Sequence, residues 1–320
     1  MKILVLGCGS IGQRHIENLQ NLSDNYLIEV FDKDETKLNN LKIKNVVIAK
    51  EESLDSSKYD CVFICTPPTT HVNLAIRALK VNSNVFIEKP LSSNLEKVDE
   101  LIKIKNDKNL LVFVGYSFRF NKGLNQIKKM IDSEQYGKIL HASAYFGQYL
   151  PNWRPNQNFK ESYTLKKEMG GGIILDSSHE IDYLVWIFGK PLSIQSNYVL
   201  TDILPSNVEA ICDVILKFSK NILSTIHMDF VRRKYKRTLE ILTEKAILEW
   251  SLEENIIKIF ETETNSTKNI PTNESINDMY VEELKHVITC ITDHKNSNII
   301  NLENGISSMN LSFEILNPKS

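Results

Sequence analysis

The stretch Ile3-Leu4-Val5-Leu6-Gly7-Cys8-Gly9-Ser10-Ile11-Gly12 decides the fold of this chain, because a short apolar run leads through three spaced glycines into a helix-like segment, residues 13–22. Gly7 would allow a tight turn from strand to helix, and Gly12 would let the helix pack closely on the strand. Gly9 between them would let the backbone come close to a pyrophosphate. The stretch therefore predicts a strand, a phosphate-binding turn and a helix in direct succession.

An acidic residue falls where a dinucleotide-binding fold uses one. Asp32 stands twenty residues after Gly12, at the end of the next apolar run, where a carboxylate binds the ribose 2′-hydroxyl of NAD. Backbone amides at Ser10 and Ile11, where the helix starts, would face the phosphates. We therefore predict NAD binding, with NADP as the alternative because Lys33 would suit a 2′-phosphate. A glycine turn alone would also fit a methyltransferase that binds an adenosyl cofactor.

Short apolar runs alternate with amphipathic segments through the first third of the chain. The runs are Ile3–Leu6, Ile28–Phe31, Cys61–Cys65, Asn84–Ile87 and Leu110–Val114. Near-continuous apolar runs are typical of parallel strands that are buried on both faces. Strands that alternate with helices predict a doubly wound α/β sheet of the Rossmann type, which we assign to residues 1–119 as an NAD(P)-binding domain.

The pattern changes after residue 120. Strand-like runs follow one another with little helix between them, which predicts a large, mostly antiparallel open sheet. These runs are Ile194–Val199, Ala210–Phe218, Ile222–Phe230, Arg237–Leu242, Ala246–Leu252 and Ile256–Phe260. A further strand around residues 139–146 and helices over residues 124–131, 276–293 and 302–316 complete an α+β domain. We assign residues 120–320 to it, for substrate binding and oligomerisation, and allow the last helix to pack back on the first domain.

Composition narrows the class of protein. The chain has 320 residues, 42% of them hydrophobic, and 38 Lys and Arg against 40 Asp and Glu, for a net charge of −2. Such a balance disfavours nucleic acid or an acidic membrane as partner. Five cysteines without paired Cys or Cys/His spacing predict reduced thiols, no metal site and a cytoplasmic location. No apolar run is long enough for a signal peptide or a membrane span.

Three more signatures follow in order, and with the glycine turn they carry a family resemblance. They are Cys65-Thr66-Pro67-Pro68-Thr69-Thr70-His71, then Glu88-Lys89-Pro90, then Gly170-Gly171-Gly172-Ile173-Ile174-Leu175-Asp176-Ser177-Ser178-His179-Glu180-Ile181-Asp182. The chain resembles the Gfo/Idh/MocA family of oxidoreductases, named for glucose-fructose oxidoreductase and inositol dehydrogenase, from the first strand to the final helix. The resemblance implies NAD(P)-dependent hydride transfer to or from a secondary alcohol or ketone of a sugar, cyclitol or nucleotide sugar.

The resemblance also implies roles on the cofactor side. Lys89 would touch the reacting hydroxyl and the nicotinamide ribose, with Glu88 beside it and a cis peptide before Pro90. Thr66, Pro67 and Pro68 would lie beside the adenosine ribose and the nicotinamide half. The same three residues would also suit the start of a helix. We interpret His71 as a structural or cofactor-side residue.

His179 is the second predicted catalytic residue, because an imidazole has a pKa suited to take the hydroxyl proton as hydride leaves. Asp176, three residues earlier, would share its helix face and orient the substrate or tune the imidazole. Family members such as inositol dehydrogenase place the aspartate four residues before the histidine, whereas this chain has three. Asp182 fits a structural partner better than a catalyst.

The predicted substrate contacts are Arg119, Tyr149, Trp153, Arg154 and Tyr163. Aromatic rings stack on sugars, and arginines clamp carboxylates or phosphates; the alternative is a packed surface loop that Trp153 anchors. The stretch resembles a branch of the family associated with bacterial surface-sugar biosynthesis, which implies a nucleotide sugar or an acidic sugar derivative.

Two other functions remain open at this point. One is a non-catalytic regulator that senses a dinucleotide, and the other is an NAD-dependent glycosidase of similar fold. The oligomeric state is predicted independently of the function. Apolar positions on the open face of the antiparallel sheet, together with the family resemblance, predict a homodimer or homotetramer.

Overall fold

The computed structural model describes residues 1–41, 43, 45–153, 159–204 and 206–318. The chain divides into two compact units. The first comprises Met1–Ser117 with Tyr280–Ser307, and the second comprises Phe118–Met279 with Ser308–Ser320. The range 120–320 is therefore split, since a segment near the chain end groups with the first unit.

The first unit contains a six-stranded parallel sheet, as the apolar runs predict. Its strands in chain order are β1 (Lys2–Leu6), β2 (Leu27–Phe31), β3 (Val47–Ile48), β4 (Cys61–Ile64), β5 (Asn84–Glu88) and β6 (Val112–Gly115). The sheet order is β3-β2-β1-β4-β5-β6. This is the doubly wound Rossmann arrangement, in which the strand order reverses between β1 and β4. Only the two-residue edge strand β3, whose side chains are exposed, has no counterpart among the predicted runs.

Helices connect these strands. They are α1 (Ser10–Leu22), α2 (Glu35–Asn39), α3 (Ser53–Ser56), α4 (His71–Lys80) and α5 (Val98–Asp107). Strands β4 and β5 place Phe63 directly opposite Phe86, and the two rings stack with centroids 4.9 Å apart. Full burial of such a side chain contributes about 1.5–3 kcal/mol, so this aromatic pair helps to fix the strand ends on which the site depends.

The second unit contains an eight-stranded sheet, and all of its strand pairs but one are antiparallel. Its strands are β7 (Ile139–Gly147), β8 (Ser193–Val199), β9 (Ile211–Lys217), β10 (Leu223–Asp229), β11 (Lys236–Thr243), β12 (Ala246–Ser251), β13 (Ile256–Glu261) and β14 (Ser266–Pro271). Strands β7 and β10 form the parallel pair. The prediction of a mostly antiparallel sheet is confirmed. Strand β14 was not predicted, because this edge strand is polar and almost entirely exposed.

The remaining helices are α6 (Lys122–Asp132), α7 (Ile173–Asp176), α8 (His179–Phe188), α9 (Ile276–Thr292) and α10 (Leu302–Leu316). One face of the eight-stranded sheet is buried, with Val214, Ile226 and Leu239 at most 1% exposed. The opposite face is open, and both Ile215 and Leu223 are 44% exposed there. In the described ranges no helix is both long enough and apolar enough to cross a membrane.

Candidate active site

The glycine turn of the first unit has a closed side and an open side. Gly7 has φ +94, and a Cβ there would lie 2.6 Å from the Cys65 carbonyl oxygen. A Cβ on Gly12 would overlap the Gly7 carbonyl oxygen. By contrast, a Cβ on Gly9 would meet no described atom within 4 Å. The turn is thus packed against β4 on one side and faces free space at Gly9.

That free space lies at the start of α1. The helix begins at Ser10, and its N-cap residue, Gly9, has no side chain that could cap the first turn. The first amides of a helix have no intrahelical partner and carry partial positive charge. Amides at Ser10, Ile11 and Gly12 therefore suit an anion, and the turn fits the pyrophosphate of a dinucleotide.

Asp32 is held rigidly at the end of β2, directly after Phe31. Its Oδ2 accepts a 2.7 Å hydrogen bond from the backbone amide of Cys8 in the glycine turn. Its Oδ1 accepts a 2.9 Å bond from the amide of Asp34. Lys33 points elsewhere, since its Nζ lies 3.9 Å from Glu51 Oε1. The two amide hydrogen bonds fix the carboxylate at the end of β2, and Lys37 Nζ lies 3.8 Å from its Oδ2.

The Thr66-Pro67-Pro68 segment leaves β4 and enters a 3₁₀ turn over Pro68–Thr70. His71 is fully enclosed, with Nε2 2.7 Å from the Thr66 carbonyl oxygen and Nδ1 2.9 Å from the Pro90 carbonyl oxygen. Burial lowers the pKa of His71 in spite of these two acceptors. A neutral imidazole donates to one of these two carbonyl oxygens, and the ring lies between the Thr66 turn and the Glu88-Lys89-Pro90 segment.

Glu88 ends β5 and is committed to contacts inside the first unit. Its Oε1 lies 2.6 Å from Nε2 of His15, and its Oε2 accepts a 3.2 Å bond from the Lys89 amide. The Lys89-Pro90 peptide is cis, as the resemblance implies. The Lys89 side chain is half-buried.

His15 is a residue that the sequence analysis missed. It lies on α1 and is 0% exposed, and its ring contacts Phe63, Phe86 and Tyr280 of α9 at centroid distances of 5.8, 5.2 and 6.0 Å. The available signal was its place one turn after Gly12, on the inner side of the helix. The carboxylate partner, 73 residues away, could not be read from that place.

In the second unit, Asp176 and His179 belong to different helices. Helix α7 ends at Asp176 and α8 begins at His179. The expectation of one shared helix face is therefore wrong. Asp176 is instead bound by the preceding turn, because Tyr163 Oη donates to its Oδ1 at 2.9 Å and Thr164 Oγ1 donates to its Oδ2 at 2.7 Å. Tyr163, predicted as a substrate contact, has its hydroxyl on Asp176.

His179 opens α8 as a nearly buried side chain, 6% exposed. Its ring lies 4.7 Å from that of Phe118, tilted by 52°. On the neighbouring position, Glu180 Oε1 lies 2.8 Å from Nε of Arg237. Arg237 in turn lies over the ring of Phe118 at 4.6 Å. Aromatic and ionic contacts thus hold the start of α8.

The glycine run before α7 depends on Glu209, which the sequence analysis also missed. Gly172 has φ +115, and a Cβ there would overlap the Glu209 carboxylate. That carboxylate accepts a 3.2 Å bond from the Ile174 amide, and the Glu209 carbonyl accepts one of 3.0 Å from the Ile173 amide. Burial raises the pKa of Glu209. Glu209 therefore fixes the turn that leads to Asp176 and His179.

Arg119 lies inside the second unit, at 3% exposure. It forms two 2.8 Å bonds to the carboxylate of Asp182, and Ser308 Oγ donates to the same carboxylate at 2.7 Å. This interior ion pair takes the place of the predicted contact with substrate. Asp182 is thus a structural partner, of Arg119 and Ser308, as the sequence predicts.

The aromatic segment after β7 divides into two parts. Trp153 anchors the loop, since its Nε1 donates to the Gln148 carbonyl at 3.3 Å and its ring packs 5.3 Å from that of Phe230. Tyr149 is half-buried, with the Arg233 guanidinium 3.6 Å above its ring. Arg154, the remaining predicted contact, lies outside the described residues.

Two family models match the sequence. The model described as "Oxidoreductase family, NAD-binding Rossmann fold" matches residues 1–116. The model of the GFO/IDH/MocA C-terminal domain matches residues 124–249.

Curated relatives match part of the chain. The sequence is 29% identical over 197 residues to myo-inositol 2-dehydrogenase from Thermotoga maritima, which covers 59% of this chain and 55% of that protein. It is 26% identical over 200 residues to inositol 2-dehydrogenase from Salmonella agona, again covering 59% of this chain and 55% of that protein. The chain spans little more than half the length of these relatives.

Solved structures match almost the whole chain. UDP-N-acetylglucosamine 3-dehydrogenase from Acidithiobacillus ferrooxidans superposes with a TM-score of 0.79 at 16% identity, covering 98% of this chain and 96% of that one. Levoglucosan dehydrogenase in complex with NADH and levoglucosan gives 0.85 at 16% identity, covering 99% and 96%. At this identity the likeness shows a common fold.

Proposed function

Because the chain belongs to the GFO/IDH/MocA family of oxidoreductases, we propose that it is an NAD-dependent dehydrogenase of a sugar, cyclitol or nucleotide sugar. Hydride would pass between nicotinamide C4 and the carbon of a secondary alcohol or ketone. The observation that carries the proposal is the open space at Gly9, at the start of α1 and next to the fixed carboxylate of Asp32.

The first unit would bind the cofactor. Helix α1 offers amides at Ser10 and Ile11 for the pyrophosphate, and Asp32 offers a carboxylate for the adenosine ribose. Thr66, Pro67 and Pro68 would line the cofactor further along, beyond the turn that His71 supports. A bound nicotinamide supplies the hydride acceptor or donor, which no side chain of the chain can provide.

The second unit would supply the residue that transfers the proton of the substrate hydroxyl. His179 would take the proton of the substrate hydroxyl during oxidation and return it during reduction. Lys89, which belongs to the first unit, would donate a hydrogen bond to the reacting substrate oxygen and so stabilise its developing charge. Asp176, held by Tyr163 and Thr164, would orient the substrate.

NADH and NADPH titrations by fluorescence, followed by a spectrophotometric screen of sugars, cyclitols and nucleotide sugars, would test this proposal. We expect tighter binding of NADH, and turnover of one substrate class. Lys89→Ala and His179→Ala should each lower turnover by about a hundredfold or more. Matched controls are Lys108→Ala and His294→Ala, which remove exposed side chains of the same types.

Other outcomes point to other functions. Tight cofactor binding without turnover would favour the regulator, and release of sugar without net cofactor conversion would favour the glycosidase. Failure of both cofactors to bind would overturn the proposal.

We also propose a homodimer or homotetramer formed through the open face of the eight-stranded sheet. The exposure of Val199, Ile215 and Leu223 supports this surface, because apolar side chains on one sheet face favour burial against a partner. Ile215→Lys should shift the protein to a smaller species in sedimentation. A wild-type protein that sediments as a monomer would contradict the interface. The five free cysteines support a cytoplasmic location, which fractionation of cells would test.

A further inference from the structure

The loop between β10 and β11, together with the first two residues of β11, carries a concentration of positive charge that the function proposed above does not use. Arg232-Arg233-Lys234-Tyr235-Lys236-Arg237 places five cations in six positions, in a chain whose net charge is −2. A local excess of one sign on a balanced chain raises the local concentration of ligands of the opposite sign.

Most of this charge is not neutralised by the protein. Within the described ranges, Arg237 is the one member of the run whose side-chain cation lies within 4 Å of a carboxylate, that of Glu180. The Asp229 carboxylate accepts a bond from the backbone amide of Arg232. Arg233 and Lys234 are both exposed. Neighbouring cations repel one another, so a bound anion would relieve a repulsion that the folded chain leaves in place.

Aromatic rings hold the arginines in fixed positions. The Arg233 guanidinium lies 3.6 Å from the centre of the Tyr149 ring. Tyr149 is itself fixed beside the loop, because the Gln148 amide donates to the Asp229 carbonyl at 3.1 Å and the Leu150 amide donates to the Phe230 carbonyl at 2.9 Å. A planar guanidinium that is oriented in advance loses less entropy when it binds a phosphate.

The strand that follows the loop contacts the start of α8. Arg237, the second residue of β11, binds Glu180, which follows His179 in the chain. Both the His179 ring and the Arg237 guanidinium contact Phe118. They lie 4.7 and 4.6 Å from the centre of its ring. Arg233 is four residues from Arg237, a separation of at most about 14 Å along an extended backbone. The proposal below requires a substrate that spans the separation between His179 and Arg233.

We propose that Arg233 and Lys234, with Tyr149 beneath Arg233, form a subsite for a phosphate group of the substrate. The inference rests on the proposed function, and it narrows the substrate to a phosphorylated sugar or cyclitol. A sugar monophosphate and a nucleoside diphosphate sugar share this chemistry. An uncharged sugar lacks the group that the subsite binds.

Calorimetric titration of the full chain would test the subsite. The protein is first saturated with NADH, so that the glycine turn cannot bind the added phosphate. The probes are pyrophosphate, glucose 1-phosphate and UDP-glucose, with glucose as the uncharged control. We expect at least one phosphate probe to bind about tenfold or more tightly than glucose. Tighter binding of glucose 1-phosphate would identify the monophosphate source, and tighter binding of UDP-glucose would identify the diphosphate source.

Variants separate a specific subsite from general charge attraction. Arg233→Ala/Lys234→Ala should weaken the phosphate probe about tenfold or more. Lys217→Ala/Lys220→Ala removes two other cations of the same unit and should leave the affinity unchanged. Equal weakening by both double variants, or phosphates that bind no better than glucose, would overturn the inference. If NADH itself does not bind, the proposed function fails, and pyrophosphate binding that depends on Arg233 and Lys234 would still support the subsite.

Discussion

His15 Nε2 lies 2.6 Å from Glu88 Oε1, so a hydrogen bond joins the helix that follows the glycine turn to the strand that ends in Glu88-Lys89-Pro90. Both side chains are buried, and His15 Nδ1 has no hydrogen-bond partner among the described residues. The His15 ring therefore carries a proton on Nε2 and donates it in the hydrogen bond to the Glu88 carboxylate. Through the Lys89 amide, Glu88 passes this constraint to the residue proposed to polarise the substrate oxygen.

The first prediction concerns this pair. His15→Leu should lower the free energy of unfolding by about 1–3 kcal/mol, because it leaves the buried Glu88 carboxylate without its partner. Turnover should fall more than NADH affinity, since Lys89 is displaced while the glycine turn remains. His15→Gln, which keeps a donor, is the matched control. Urea unfolding and steady-state kinetics would check both variants, and a His15→Leu enzyme equal to wild type would refute the coupling.

A second prediction follows from the contact between Gly172 and Glu209. Gly172→Ala should destabilise the protein by about 1–3 kcal/mol or more, because the backbone is at positive φ and the new Cβ overlaps the Glu209 carboxylate. Gly189→Ala is the matched control, since Gly189 also has positive φ but no described atom lies within 4 Å of its added Cβ.

The difference in unfolding free energy between Gly172→Ala and Gly189→Ala isolates the effect of the overlap with the Glu209 carboxylate. Combining Gly172→Ala with Glu209→Ala should recover part of the turnover lost in the single variant if the overlap displaces His179. A double variant whose losses simply add would contradict that contact as the cause.

The sequence predicts local features well and long-range partners poorly. The strands β1, β4 and β5 are apolar runs, so their burial could be read directly, and the glycine spacing indicated the turn. The partner of Arg119 is 63 residues away. Asp176 is bound by side chains 12 and 13 residues before it, and a break after α7 separates it from His179. Pairings of this kind depend on how the chain packs, and no periodicity of the sequence records them.

A third prediction concerns cofactor choice. Asp32→Asn should weaken NADH binding about tenfold, because a neutral amide accepts the ribose hydroxyl and the Cys8 amide less strongly than a carboxylate. NADPH affinity should fall less, since loss of the negative charge also removes repulsion of the 2′-phosphate. Asp34→Asn is the matched control, because asparagine still caps α2. Fluorescence titration would measure all three proteins, and unchanged NADH affinity in Asp32→Asn would exclude this role.

The last prediction is a pH dependence at the open sheet face. His227 lies 2.7 Å from Asp213 Oδ1 through Nδ1 and 3.2 Å from Asp229 Oδ2 through Nε2. The bonds to Asp229 and Asp213 raise the pKa of His227, in spite of partial burial. The folded state therefore holds a proton that the unfolded chain releases above about pH 6.5. The stability from this pair is fully present below that pH and is lost as pH rises through the raised pKa of the folded state.

His227→Gln keeps a polar side chain but cannot be protonated. Its loss of unfolding free energy relative to wild type should be larger at about pH 6 than at about pH 9. Urea unfolding at one fixed protein concentration would measure the difference, because assembly through this face would make stability depend on concentration. His294→Gln, at an exposed position, should show no such dependence. A loss in His227→Gln that is the same at both pH values would show that His227 is not protonated between its two carboxylates.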